Sequence, residues 1–433
     1  SGVPSVQTDY GAMLNDMSKP DILAEDNVWP HYERAVELLT EPPRVERKAP
    51  HEVNEPEVEQ IKAWIAANEA AWSEYAAGSA KAYCYRPYRF DPNSLPVEQS
   101  LLNLPLPPLS SIKELARMGV WRARLAILDG RIDNAIEDTL VVAHSAAHWQ
   151  GRGTLIEQLV GAAISALARQ QLIDIIAAAD LTPDRVEQLR QSYAAVYPDG
   201  YPLVNVESTR LVFLDLVQRV FSEGGPGGGH LLPRVWTDLG AAPTGLEDEQ
   251  AIMVPLYTAG SMVHARRHKT LARFREIFDY AVRTGRMTPY QRHIKQIDFD
   301  RELMELPKYR YFLIQIMMPP LGRANDLALQ ARTCYQVVQM ILALEQWRLE
   351  KGEYPDSADT LVKTNYIENL PSDPYSEGPV VYRRTDKGFT LYSVGPDFTD
   401  DGGKPSLDRK GRVRKWQEGG DTIFWPVDGA VAE

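Results

Sequence analysis

LPSDPYSEGPVVYRRTDKGFTLYSVGPDFTDDGG (residues 370–403) and GGDTIFW (residues 419–425) decide how the end of this chain folds. VVYRR and FTLYS alternate side chains with a period of two, the mark of half-buried strands. Thr385-Asp-Lys-Gly stands between them and reads as the turn of a β-hairpin. Ile423-Phe-Trp adds a third short apolar run and hence a third strand. Upstream lies ARTCYQVVQMILALEQWRLEKGEYP (residues 331–355), with Cys334, Val337, Val338, Ile341 and Leu344 spaced as one face of a helix that closes near Gly352. The expected unit is a helix packed on a small antiparallel sheet.

At the end of the hairpin, GPDFTDDGG (residues 395–403) crowds Asp397, Asp400 and Asp401 into a glycine-rich loop. Such carboxylates repel one another unless a cation lies among them. Calcium takes six to eight hard oxygen ligands from carboxylates and carbonyls on a chain able to curl around it. The spacing is not that of an EF-hand. A solvated acidic turn is the plainer alternative. A second alternative comes from KPSLDRKGRVRK (residues 404–415), whose six basic residues stand against one Asp and could neutralise the loop directly.

The order of these motifs resembles the soluble part of the major pseudopilin of type II secretion: a helix ending in G-x-YP, then LP-x-DP, strands closing on YS-x-G-x-D, and a final D-x-x-x-W. The resemblance implies a pseudopilin-like α+β domain over residues 326–433. It also implies calcium held by Asp397 and Asp421, with Asp400 or Asp401 assisting and backbone carbonyls near Val394 completing the shell. Family members work outside the cytoplasm by assembly, so the resemblance points to a non-enzymatic envelope protein with a protein partner or self-assembly. Two departures stand out: the basic insert, and some 325 residues where a membrane helix would directly precede the module. In that respect the chain is similar to large planctomycete-type envelope proteins that append such a module to a helical domain.

Those preceding residues read as mainly helical. Residues 1–50 form an irregular N-terminal segment, with one short helix near Trp29. Residues 51–325 read as an all-α domain of irregular helical hairpins. Asn54-Glu-Pro opens one helix with a capping residue and an early proline. Asp129-Gly130 turns a hairpin, and Thr182-Pro183 starts a further helix. Residues 153–179 are apolar nearly all round, as expected of a central helix. Residues 204–222 and 254–284 read as two further long segments.

With 433 residues, 44% hydrophobic and 24% charged, the composition is that of a globular chain with more than one core. A formal charge of −12 argues against nucleic acid, whose binding rests on neutralising phosphates. No apolar run reaches 18 residues, so any membrane attachment is expected through an anchor upstream of residue 1. Cys84 and Cys334 fit no metal or redox motif; two free thiols are the expected state, with a disulfide as the alternative.

The competing class is a hydrolase-type enzyme with a carboxylate-lined pocket in the helical domain. Glu207 and Asp215, with Arg210, sit on one apolar helix expected to face Arg266, Arg267 and Glu276. Structural ion pairs explain the same residues more simply. His144 with His148, and His264 with His268, have the four-residue spacing that can chelate zinc on a helix, but neither carries the glutamate of an HExxH motif. GGPGGGH (residues 224–230) lacks the GK[ST] ending of a phosphate loop.

Overall fold

The structure, a computed structural model, describes residues 8–426 apart from 22, 48–52, 91–92, 94–98, 234–259, 319 and 387. The helical body starts with α1 (Tyr10–Ser18), α2 (Trp29–Leu38), α3 (Glu55–Ala67) and α4 (Glu69–Ser79). Asn54 opens α3 with a reciprocal cap: its side chain accepts from the Glu57 amide at 3.1 Å, and the Glu57 carboxylate accepts from the Asn54 amide at 3.1 Å. Asn54→Ala should therefore cost about 1 kcal/mol, read as a lower urea midpoint with an unchanged slope.

The long helices follow: α5 (Leu109–Leu128), α6 (Ile132–Ala147), α7 (Leu155–Ala178), α8 (Pro183–Ala195) and α9 (Glu207–Val220). The α5–α6 hairpin turns at Asp129 and Gly130, and Thr182 caps α8. Helix α7 packs against both α5 and α6 and buries Ile164, Ala168, Leu172 and Ile175. Among the described residues it is the one helix long and apolar enough to cross a membrane, and here it serves as a core helix.

Of the segment expected over residues 254–284, residues 254–259 lie outside the described set, and the rest is not one helix. The chain breaks at His264–Arg266, where Arg266 is extended, and α10 runs over Arg267–Gly285. Three short helices come next: α11 (Pro289–Ile294), α12 (Phe299–Met304) and α13 (Phe312–Met317).

Helix α14 (Leu321–Lys351) starts at Leu321 rather than near Ala331. Its first turns, LGRAND, carry no apolar stripe, so the sequence pattern misses them. It ends where Gly352 adopts φ 86°, a left-handed cap that costs glycine nothing. A short helix α15 (Asp359–Lys363) leads to the sheet. Strands β1 (Val381–Thr385), β2 (Gly388–Ser393) and β3 (Thr422–Trp425) pair antiparallel in the order β1-β2-β3. The protein is thus mainly α with a small three-stranded sheet near its carboxyl end.

Helix α14 packs on α7 and α8 of the body. Its buried Val338, Ile341 and Leu344 belong to one apolar cluster with Ile112 and Leu172 of the body and Phe389, Leu391 and Phe424 of the sheet. A second cluster forms where Phe213 of α9 stacks on Phe274 of α10, with ring centres 3.7 Å apart, beside Phe312 and Leu313 of α13.

Candidate functional site

The acidic loop leaves β2 and returns to β3, and its two ends touch. Gly395 has φ 80°, and a Cβ placed there would lie 2.7 Å from the Gly420 carbonyl oxygen, so only glycine permits the crossing. Asp373 fixes the loop's origin. Its carboxylate is buried and accepts from the Ser393 hydroxyl at 2.7 Å, the Val394 amide at 2.9 Å and the Tyr375 amide at 2.9 Å. Burial pushes its pKa up, and these three donors pull it back.

Asp397, Asp400 and Asp421 have defined side-chain partners, and Asp401 is exposed. Asp397 accepts from the Gly419 amide at 2.9 Å and the Gly420 amide at 3.0 Å, tying the loop's start to its end. Asp400 turns towards the sheet, where it meets Arg383 of β1 at 3.1 Å and accepts from the Tyr392 hydroxyl at 2.9 Å. Asp421 is 1% exposed and accepts from the Gly403 amide at 2.6 Å and the Asp401 amide at 3.3 Å. Its pKa rises to about 6, first because it is buried and further because Asp400 and Asp401 are near. Among the described residues, no three His, Cys, Asp or Glu side chains converge as a preformed metal cluster.

The basic insert folds back on itself. Leu407 bridges Val413, and Asp408 at its turn accepts from the Lys410 and Arg412 amides while pairing with Arg412 at 2.9 Å and Arg414 at 3.6 Å. Those donors hold the Asp408 carboxyl down to about 2. The arginine that reaches Asp400 comes instead from β1: Arg383, which also lies over the Tyr392 ring at 5.3 Å. Nothing in the loop's own sequence points to that partner.

The other candidates are occupied as structural groups. Glu207 pairs with Arg210 at 2.9 Å, and Arg210 reaches Asp279 of α10 rather than Glu276, which pairs with Arg273. Asp215 is buried, pairs with Arg219 at 3.0 Å and accepts from the Leu101 amide at 2.8 Å. His148 uses both ring nitrogens, on the Tyr32 hydroxyl at 2.7 Å and the Lys81 carbonyl at 2.8 Å. His264 and His268 do not share a helix, because the chain breaks between them. Cys84 and Cys334 are both free thiols.

A cleft of about 1130 Å³ lies between the helical body and the loop that joins β2 to β3. Body residues Arg292, His293 and Asp326 line one wall, and Phe398 and Trp416 line the other. The walls join where His293 stacks on Phe398, with ring centres 4.1 Å apart and planes 21° apart. Sequence reasoning missed this cleft: its residues lie on α11, α12 and α14 and in the loops around Gln296, Tyr375, Phe398 and Trp416, with no shared motif. Compared with family models, with curated proteins and with solved structures, the chain matches none.

Proposed function

We propose that this protein is a non-catalytic, extracytoplasmic component of a bacterial envelope that works by binding and assembly, with a pseudopilin-like C-terminal module organised by calcium. The observation that carries the reading is the acidic loop itself. Asp421 is buried beside Asp400 and Asp401 at a raised pKa, and the neighbouring basic insert spends Arg412 and Arg414 on its own Asp408. Asp397, Asp400, Asp401 and Asp421 carry the hard carboxylate oxygens that calcium takes, on a glycine-rich loop whose ends touch, and would have to turn inward together to share an ion. Asp421 and Asp397 would hold the ion, Asp400 or Asp401 would complete the set, and Asp400 would exchange its pairing with Arg383. Calcium would supply no chemistry here beyond a tie between the end of β2 and the start of β3. The engagement of Glu207 and Asp215 in ion pairs supports a body that packs rather than catalyses.

Thermal melting tests this. Free calcium at a hundred times Kd should stabilise the chain by about 2.7 kcal/mol, with EGTA reversing the gain. Asp421→Asn should abolish the calcium response. A melting temperature indifferent to both calcium and chelator would refute the metal, and with it the best support for the module.

A further inference from the structure

We propose that the cleft between the body and the loop joining β2 to β3 binds a neutral oligosaccharide, with Trp416 as its stacking surface. This goes beyond the calcium reading and stands without it. At about 1130 Å³ the cleft exceeds what a single small metabolite needs and suits an extended chain of several sugar units.

Its charge selects the ligand class. Arg292, Arg301 and Arg323 are set against Asp298, Asp300, Asp326 and Glu418. A polyanion would meet the four carboxylates and a polycation the three guanidinium groups, whereas a neutral polyol is penalised by neither. Planar carboxylates and guanidinium forks match adjacent hydroxyl groups, accepting from one and donating to the next. Arg292 is only 11% exposed at its side chain and pairs with Asp326, yet its Nε has no hydrogen-bond partner. Arg292 thus stands in the cleft wall with its guanidinium only partly engaged.

Backbone conformation supplies an independent reason. Among the described residues four non-glycine positions have φ in the left-handed region, and three of them, Gln296, Phe398 and Trp416, line the cleft. Each such residue costs roughly 1–2 kcal/mol that glycine would avoid. Keeping large side chains there makes sense where those side chains do something. Phe398 is covered by His293 and so joins the walls. Trp416 is half-buried and leans on buried Tyr375 at 5.6 Å and Phe424 at 5.7 Å, which fixes an indole in the cleft for the apolar C–H face of a sugar ring.

The test is isothermal titration of the full chain with maltohexaose, cellohexaose and chitohexaose, and with a heparin hexasaccharide as the polyanion, each in calcium and in EGTA. At least one neutral hexasaccharide should bind saturably, and more tightly than heparin. Trp416→Ala should weaken that binding at least about tenfold. Because Trp416→Ala can disturb the loop, exposed Glu418→Gln and Arg323→Gln serve as second variants, each expected to weaken binding severalfold with the melting temperature unchanged. No binding by all three neutral sugars, tighter binding of heparin, or equal binding by the wild type and all three variants would overturn the proposal. Sugar binding that persists in EGTA with no calcium response would leave this proposal standing while the calcium reading fell.

Discussion

Asp373→Ala should lower the stability of the chain by about 3 kcal/mol. The carboxylate is 2% exposed and holds three donors that have little access to water: the Ser393 hydroxyl and the Val394 and Tyr375 amides. Removing it leaves buried N–H groups unpaired, which costs far more than the net worth of the bonds. The loss falls where β2 ends and the acidic loop begins, so the damage should also reach the Gly395–Gly420 crossing. Asp373→Asn retains one acceptor oxygen and should cost less than Asp373→Ala. Urea unfolding followed by circular dichroism ranks the two. Equal stabilities for wild type and Asp373→Ala would show that the clamp is dispensable.

The second large effect is on acid stability, and it centres on His148. Burial lowers its pKa from the usual 6.5 to about 4. The folded chain therefore binds fewer protons at this site than the unfolded chain between pH 6.5 and 4. The stability it contributes is complete above pH 6.5 and is lost as the pH falls towards 4, by about 3 kcal/mol. Four carboxylates oppose this slope: burial raises Asp138 and Asp421 to about 6 and also raises Asp326 and Asp373, so all four favour the folded state in acid. His264, lowered to about 4, adds to it. The total pH profile is therefore a sum of opposing terms, and the clean observable is a difference. The stability of the wild type relative to His148→Gln should fall by about 3 kcal/mol from pH 7 to pH 4, since the other groups titrate in both proteins and cancel. A difference that stays constant over that range would mean His148 is not held neutral.

What the sequence revealed and what it hid have physical causes. The hairpin was legible because alternation and a Thr-Asp-Lys-Gly turn agree, and the structure pairs Val381–Thr385 with Gly388–Ser393 accordingly. Asn54 was legible as a cap because capping is a local, three-residue interaction. The short helices α11–α13 were not, since six residues cannot display a helical stripe. The early start of α14 was hidden for a related reason: Gly322 and Asn325 interrupt the pattern.

At the acidic loop Asp397, Asp400 and Asp401 were readable as a group, and Asp421 only through the pseudopilin resemblance; the partners of all four were not. Arg383 meets Asp400 only because β1 pairs with β2, and Asp397 meets Gly419 and Gly420 only because the loop ends cross. The cleft was the least legible feature. Arg292 of α11 and Asp326 of α14 become neighbours only in the folded chain, and left-handed aromatic residues such as Phe398 and Trp416 contradict local preference.

Crystals grown in millimolar calcium, with anomalous data collected at long wavelength, address the proposed function most directly. The expected result is a calcium peak within the 395–421 loop, with Asp421 and Asp397 among its oxygen ligands at about 2.3–2.6 Å and Arg383 released from Asp400. A loop with no peak, with Asp397 still on the Gly419 and Gly420 amides and Arg383 still on Asp400, would contradict it.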